Sequence, residues 1–273
     1  MNLRVLTYCL FAMMPALYAG EEPAAVTAPA AAQTTAPAAT PEKAAKNREF
    51  SPEMKAALEK LVMPGVKINL EERCVDVESR VCLKEGMLEL IACTKDSKEH
   101  ESIIMIEAKP SHVHTALLLL GAKPGNPAMQ EAINPEMTRF RSTPPSGNPV
   151  DVFLVFKNAE GKETEQAISE FIQEAGQDYG TPAPDTPEPK KKFPTHTFLF
   201  AGSILAGDGN GPRQYLCDVN GNVISLATFG DELLCLPDVH DHSNGALVWE
   251  VDGDKLPELN SKIILRLRPQ LKP

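Results

Sequence analysis

The stretch "GVKINLEERCVDVESRVCL", residues 65–83, sets the strongest limit on what this chain can fold into. Val75, Val77 and Val81 share one parity, while Asp76, Glu78 and Arg80 share the other. A period of two belongs to a strand with one buried face, because successive side chains leave opposite sides of the pleat. Cys74 and Cys82 fall on the polar parity, so a continuous strand turns both away from the valine face.

Six more segments read as strands or strand pairs from their β-branched and aromatic content: "MLELIAC", "SIIMIEA", "PVDVFLVF", "THTFLFAGSIL", "ALVWEVD" and "KIILRLR". "QYLCDVNGNVISLAT" adds a pair joined at "VNGN", 219–222, where Asn-Gly supplies the positive φ angles of a type I′ hairpin turn. Helices are fewer and shorter. Ser51 and Pro52 open one over 51–62, stopped by Pro64 and Gly65, and Ser111 caps another that runs to Leu120 and stops at Gly121. "NPAMQEAI" at 126–133 repeats the Asn-cap and Pro-first arrangement, and "TEQAISEFIQEAG" at 164–176 sets Ala167, Ile168, Phe171, Ile172 and Ala175 on one helical face. The expected class is therefore α+β, a β-rich single domain with a few short helices.

That domain starts near residue 51. Residues 1–19, "MNLRVLTYCLFAMMPALYA", carry Arg4, an apolar run and small residues at the end, the pattern of a secretory signal peptide. The run is shorter than the roughly 20 residues of a membrane span, and an uncleaved N-terminal anchor is the alternative reading. Residues 20–50 are an Ala/Pro-rich stretch with too few large apolar side chains to offset chain entropy, and read as a disordered linker. "GTPAPDTPEPKKKFP" at 180–194 is a Pro-rich surface insertion within the domain. No later run spans a membrane, and the expected location is exported, periplasmic or secreted.

A formal net charge of −10, with basic residues dispersed, argues against a nucleic-acid partner, since phosphate binding needs a concentrated basic face. Removal of Cys9 with the signal leaves Cys74, Cys82, Cys93, Cys217 and Cys235. In an oxidising compartment these are disulfide candidates, and spacing alone does not select a pairing. No CxxC is present, and the spacings lack the clustering of iron–sulfur ligation.

Six strings carry a family resemblance: "VCLKEGMLELIACTKDSKEHESI", "HTALLLLGAKPGNP", "VDVFLVF", "FLFAGS", "YLCDVNGNVISL" and "LPELNSKIILRLRP". In that order they resemble the YdjY-like domain family of exported bacterial proteins over roughly residues 66–273. The resemblance implies one continuous domain with 180–194 inserted, and it assigns no reaction. A ferredoxin-type cluster ascribed to some relatives needs closely spaced cysteines that this chain lacks.

Chemistry-bearing residues concentrate in "CTKDSKEHESIIMIEAKPSHVH". His100 and Glu101 stand at a loop-to-strand junction and His112 and His114 at a helix start; with Cys93 they form the candidate set for a zinc-type site. Residues two apart on a helix diverge by about 200°, which sets His112 against His114, and "HESII" lacks the second histidine of HExxH. "DVHDHSN" offers Asp238, His240, Asp241 and His242 as a second cluster. "AGDGNGPRQ" reads as a turn and not a phosphate cradle, since no helix or Lys-Ser/Thr follows. No cofactor is expected beyond that zinc option. The leading expectation is a binding or structural module of the periplasm or cell envelope with a protein or envelope partner. A metal-dependent hydrolase using His100, Glu101 and His114 is the first alternative, and a thiol redox sensor is the second.

Overall fold

The computed structural model describes residues 51–134, 136, 138–158, 160–175, 190–207, 211–240 and 247–271. The signal, the linker and most of the Pro-rich insertion lie outside the described residues. Helix α1 (Pro52–Glu59) begins where Ser51 and Pro52 place it. The strand β1 (Val66–Asn69) follows, then β2 (Cys74–Val81), the alternating segment, in which Val75, Val77 and Val81 are fully buried. Next come β3 (Leu90–Thr94), a 3-10 turn over Glu99–Glu101, β4 (Ser102–Ile106) and helix α2 (Pro110–Leu120). The chain continues through β5 (Met129–Ala132), β6 (Phe140–Thr143), β7 (Pro149–Lys157), β8 (Glu163–Ala167) and β9 (Ile172–Glu174). It then forms β10 (Thr197–Phe200), β11 (Leu205–Ala206), β12 (Gln214–Tyr215), the short helix α3 (Leu216–Asn220) and β13 (Asn222–Ser225). It ends with β14 (Leu234–Cys235), β15 (Trp249–Val251) and β16 (Lys262–Pro269).

Eight of these strands close on themselves in the order β2, β16, β7, β10, β14, β13, β3, β4 and back to β2. The closing pair sets Ser79 opposite Ile106, Arg80 opposite Met105 and Val81 opposite Ile104. Closure removes free edges from the ring. Pairings are antiparallel except β3 with β4 and β13 with β14. β1 and β8 extend the sheet outside the ring, on β2 and β7. The class is β-rich with few short helices, as the periodicity implies; the closed barrel is the new information. One continuous core joins Val77, Ile104, Leu154, Phe198, Phe200, Ile224 and Leu265, and α2 seals against β1, β2 and α3 with Val113, Ala116, Leu117 and Leu120.

On the outer face of β2 and β16, Arg266 forks onto Asp76 at 2.7 and 2.8 Å and reaches Glu165 at 2.8 Å and Glu72 at 3.1 Å. Arg268 joins the same Glu165 and Glu72. Charge-assisted forks of this kind tie β16 to β2 and, across β7, to Glu165 of β8. Cys74 lies beneath them with its thiol 3.7 Å from Asp76 Oδ1, away from the valine face as expected, yet fully buried. Burial, with the Asp76 charge, pushes that thiol up to about 11.

Four local expectations are corrected. The segment 164–176, described as far as residue 175, is not a helix but β8, a 3-10 turn over Ile168–Phe171 and β9, because β8 pairs along β7 from Phe153 opposite Ala167 to Lys157 opposite Glu163. Residues 126–133 form no helix either: β5 pairs with β6, and Asn126 turns its side chain to Pro127 O, Pro144 O and the Ser146 hydroxyl. "VNGN" is no hairpin turn; Gly221, at φ 80°, ends α3 and passes the chain into β13. Ser111 is not the N-cap of α2, which is Lys109; its hydroxyl and N–H both bond Asp218, at 2.7 and 2.8 Å.

Leu265 faces Val77 on one side and Leu154 on the other with no exposed surface, whereas its neighbour Ile264 lies on the half-exposed parity. Leu265→Ala is expected to cost about 2–5 kcal/mol in urea unfolding, and Ile264→Ala clearly less.

Candidate functional site

Each member of the zinc-type set has its own neighbourhood. His100 stands on the exposed side of the Glu99–Glu101 turn with 79% of its side chain in solvent, and its Nε2 is 3.6 Å from Glu101 Oε2. Glu101 also meets Lys98 at 3.9 Å. Lys98 in turn lies 3.5 Å above the Phe229 ring, a cation–π contact. His112 has a buried Nδ1 with no hydrogen-bond partner. His114, on the other side of α2, packs edge-on against Phe200 at 4.8 Å and places Nδ1 2.8 Å from the Tyr215 hydroxyl. Among the described residues no three His, Cys, Asp or Glu side chains are arranged to hold a metal ion. His100, Glu101, His112, His114 and Cys93 are thus not brought together. In the second cluster His240 exchanges its backbone N–H and C=O with Thr228, and Asp241 and His242 lie outside the described residues.

Two polar groupings that the sequence did not reveal replace them. The first surrounds His114. The Tyr215 hydroxyl donates to Gly202 O at 3.0 Å, so His114 Nδ1–H is the donor of the bond it shares with that hydroxyl. Ser203, at φ 56°, accepts the Cys217 N–H on its hydroxyl at 3.1 Å. Burial holds the His114 imidazole below its usual range and pushes the Tyr215 phenol up. A neutral histidine and a protonated tyrosine make this a neutral hydrogen-bonded strut between α2 and the segment after β10. Nearby, the fully buried Glu232 takes the N–H groups of Phe229 and Gly230 on one oxygen and leaves Oε2 without a partner; burial raises its carboxyl pKa. Asn220 and Asn222 clamp its neighbour Asp231 at 2.5 and 2.6 Å.

The second grouping is a thiol pair at the barrel seam. Cys82 follows the last residue of β2, and its N–H bonds Ile103 O of β4 at 3.0 Å. Cys93 lies in β3 and pairs in register with Met105 of β4. The two cysteines stand on the two flanks of β4. The Cys82 thiol donates to Ser102 O at 3.1 Å. Contact with Cys82, helped by the Ser102 and Ser97 hydroxyls and the Lys98 backbone, brings Cys93 down to about 7 against the opposing effect of burial. The same contact, with burial, pushes Cys82 up. All five described cysteines are free thiols in this structure, and four are buried while Cys82 is half-buried.

A closed eight-stranded barrel sealed by one helix defines the class. Residues 66–268 match the family model of the YdjY domain, and the chain belongs to that family. No curated protein and no solved structure matches it.

The lowered His114 pKa has a definite sign. The unfolded chain, with its histidine near 6.5, takes up a proton before the folded one does, so the contribution is fully present above about 6.5 and is lost as pH falls through the folded value. NMR titration should find the His114 imidazole midpoint below the roughly 6.5 of an unperturbed histidine, and His114→Gln should reduce the acid-side loss of stability in urea melts.

Proposed function

We propose that this chain is an exported binding module of the periplasm or cell envelope, carried out by the segment 1–19, held off by the stretch 20–50, and docking through the β5–β6 hairpin. The observation that supports docking is the hairpin itself. All four residues of β5 and three of the four in β6 are exposed, and Met129, Ile133 and Phe140 keep 41%, 44% and 51% of their surface in solvent. Met129 and Phe140 fall on opposite faces by the register, Met129 opposite Thr143 and Ala132 opposite Phe140. Among the described residues β5 and β6 pair only with each other.

A lone two-stranded ribbon is marginal in water and displays unpaired backbone along both edges. Beside the turn Asn134 Oδ1 accepts the N–H groups of Thr138 and Arg139 at 3.2 and 2.8 Å, and Ile133 N–H bonds Arg139 O at 2.9 Å. A ribbon with open edges and apolar side chains suits an extended segment of a partner protein, which adds as a third strand and covers Phe140 or Ile133. The dispersal of His100, Glu101, His112 and His114 gives the hydrolase alternative no comparable support.

The test is a photoreactive residue placed at Phe140, at Ile133 or at Val219 of the full chain in its own cells; Val219 is exposed on α3, outside the hairpin. Both hairpin positions should give the same discrete protein adduct, and Val219 should not. Phe140→Asp should remove the Ile133 adduct while shifting stability by no more than about 0.5 kcal/mol. Equal adducts from all three positions, or none from the hairpin, would sink the docking model.

A further inference from the structure

We propose that Lys190–Phe193 is a charge-latched strap, which at ordinary ionic strength closes over Trp249 and the edge of β9 and peels away when its lysines lose their carboxylate partners. The inference stands apart from the docking hairpin and needs no partner bound there.

Backbone pairing places the strap. β9 stands between it and β15, since Gln173 is opposite Glu250 on one side and bridges Lys192 on the other. The ladder to the strap is short: Glu174 N–H donates to Lys191 O at 2.7 Å and Phe193 N–H to Ile172 O at 3.2 Å. Phe193 is the apolar anchor. It is buried, meets the Trp249 ring edge-on at 4.9 Å and lies stacked toward Phe198 at 6.5 Å. The three residues before it are all lysines, and every one has an acidic partner. Lys190 pairs with Glu250, Lys191 Nζ is 3.4 Å from Glu174, and Lys192 Nζ is 3.3 Å from Glu170 and 3.9 Å from Asp252. Lys255 shares Glu170 at 3.4 Å. Peeling the strap therefore leaves four carboxylates with Lys255 as the one lysine of the cluster.

Exposure makes the latch sensitive to salt. The side chains of Lys190, Lys191 and Lys192 keep 42%, 80% and 49% of their surface in solvent, so ions reach each pair. One exposed pair holds little, but three on successive residues act on one short strand and are weakened together. The Debye length is about 8 Å at physiological ionic strength, longer than these pairs, and about 3 Å at 1 M, where their attraction is largely lost. The ring strands answer differently. β16 lies on β2 from Lys262 opposite Arg80 to Leu267 opposite Val75, over an apolar interior that screening leaves intact. Salt thus selects the strap for local opening while the barrel stays folded. Opening frees the Glu174 N–H and Ile172 C=O on the edge of β9, the kind of edge a strand can join, and bares the ring of Trp249.

Trp249 is the single tryptophan of the chain, half-buried beneath Phe193, so its fluorescence reports the strap directly. The experiment is a sodium chloride titration of the full chain from about 0.05 to about 1 M, reading tryptophan emission, acrylamide quenching and far-UV circular dichroism. The expected result is a red shift and an increase of about twofold in the quenching constant, with the circular dichroism unchanged. A chain carrying Lys190→Gln, Lys191→Gln and Lys192→Gln together should show the open signal already at low salt and no further response to it. Emission and quenching that stay flat in the native chain, or that change only together with the circular dichroism, would overturn the proposal. So would a folded triple variant that keeps the closed signal at low salt. The native-chain titration decides the matter whether or not the variant folds.

Discussion

The pairing of β2 with β4 is the constraint on which the rest depends. β2 is gripped by β1 at its start, by β16 along its length and by β4 at its end, so its residues answer to three neighbours at once. The three residue pairs with β4 turn a sheet into a ring, and the ring gives Val77, Ile104 and Leu265 an interior to share. A shift of β2 by one residue would carry Asp76 and Glu78 into that interior and the valines out. The bidentate grip of Arg266 on Asp76 resists that slip from the outer face, where a displaced carboxylate would forfeit both charge-assisted bonds of the fork.

The class and most of the strands were legible because alternation reports which face is buried. The valine parity of β2, the apolar runs of β3 and β4 and the alternation of β16 all appear where the residues imply. Closure was not legible, since pairing partners far apart in the chain leave no mark in either segment alone. The misread pieces share a physical reason. Ile168, Phe171 and Ile172 do cluster by helical spacing, but β7 offers β8 a full ladder, and tertiary pairing overrides so weak a local preference. Asn-Gly signals a positive φ; it does not say whether the residue turns a hairpin or ends a helix, and Gly221 does the latter.

The candidate site was legible in location more than in composition. The stretch from Cys93 to His114 does hold the perturbed groups, yet the partners of each come from elsewhere: Tyr215 for His114, Cys82 for Cys93, Phe229 for Lys98. Histidines attract attention because they bind metals, but His100 faces water and His114 braces a helix. Cys82 carried a faint signal in hindsight. It ends an alternating strand on the polar parity and so had to point away from the valines, the face that Cys93 meets across β4.

The strand that completes the ring is β16, which stands between β2 and β7 and closes a gap spanning nearly two hundred positions of sequence. Loop-closure entropy must be met before any of that pairing returns free energy, so assembly is slow and cannot finish until the final strand is available. A chain emerging amino end first therefore has β2 and β7 in solution with open edges for the whole interval. Those open edges are the surface most exposed to wrong pairing during that interval, a consequence of the topology itself.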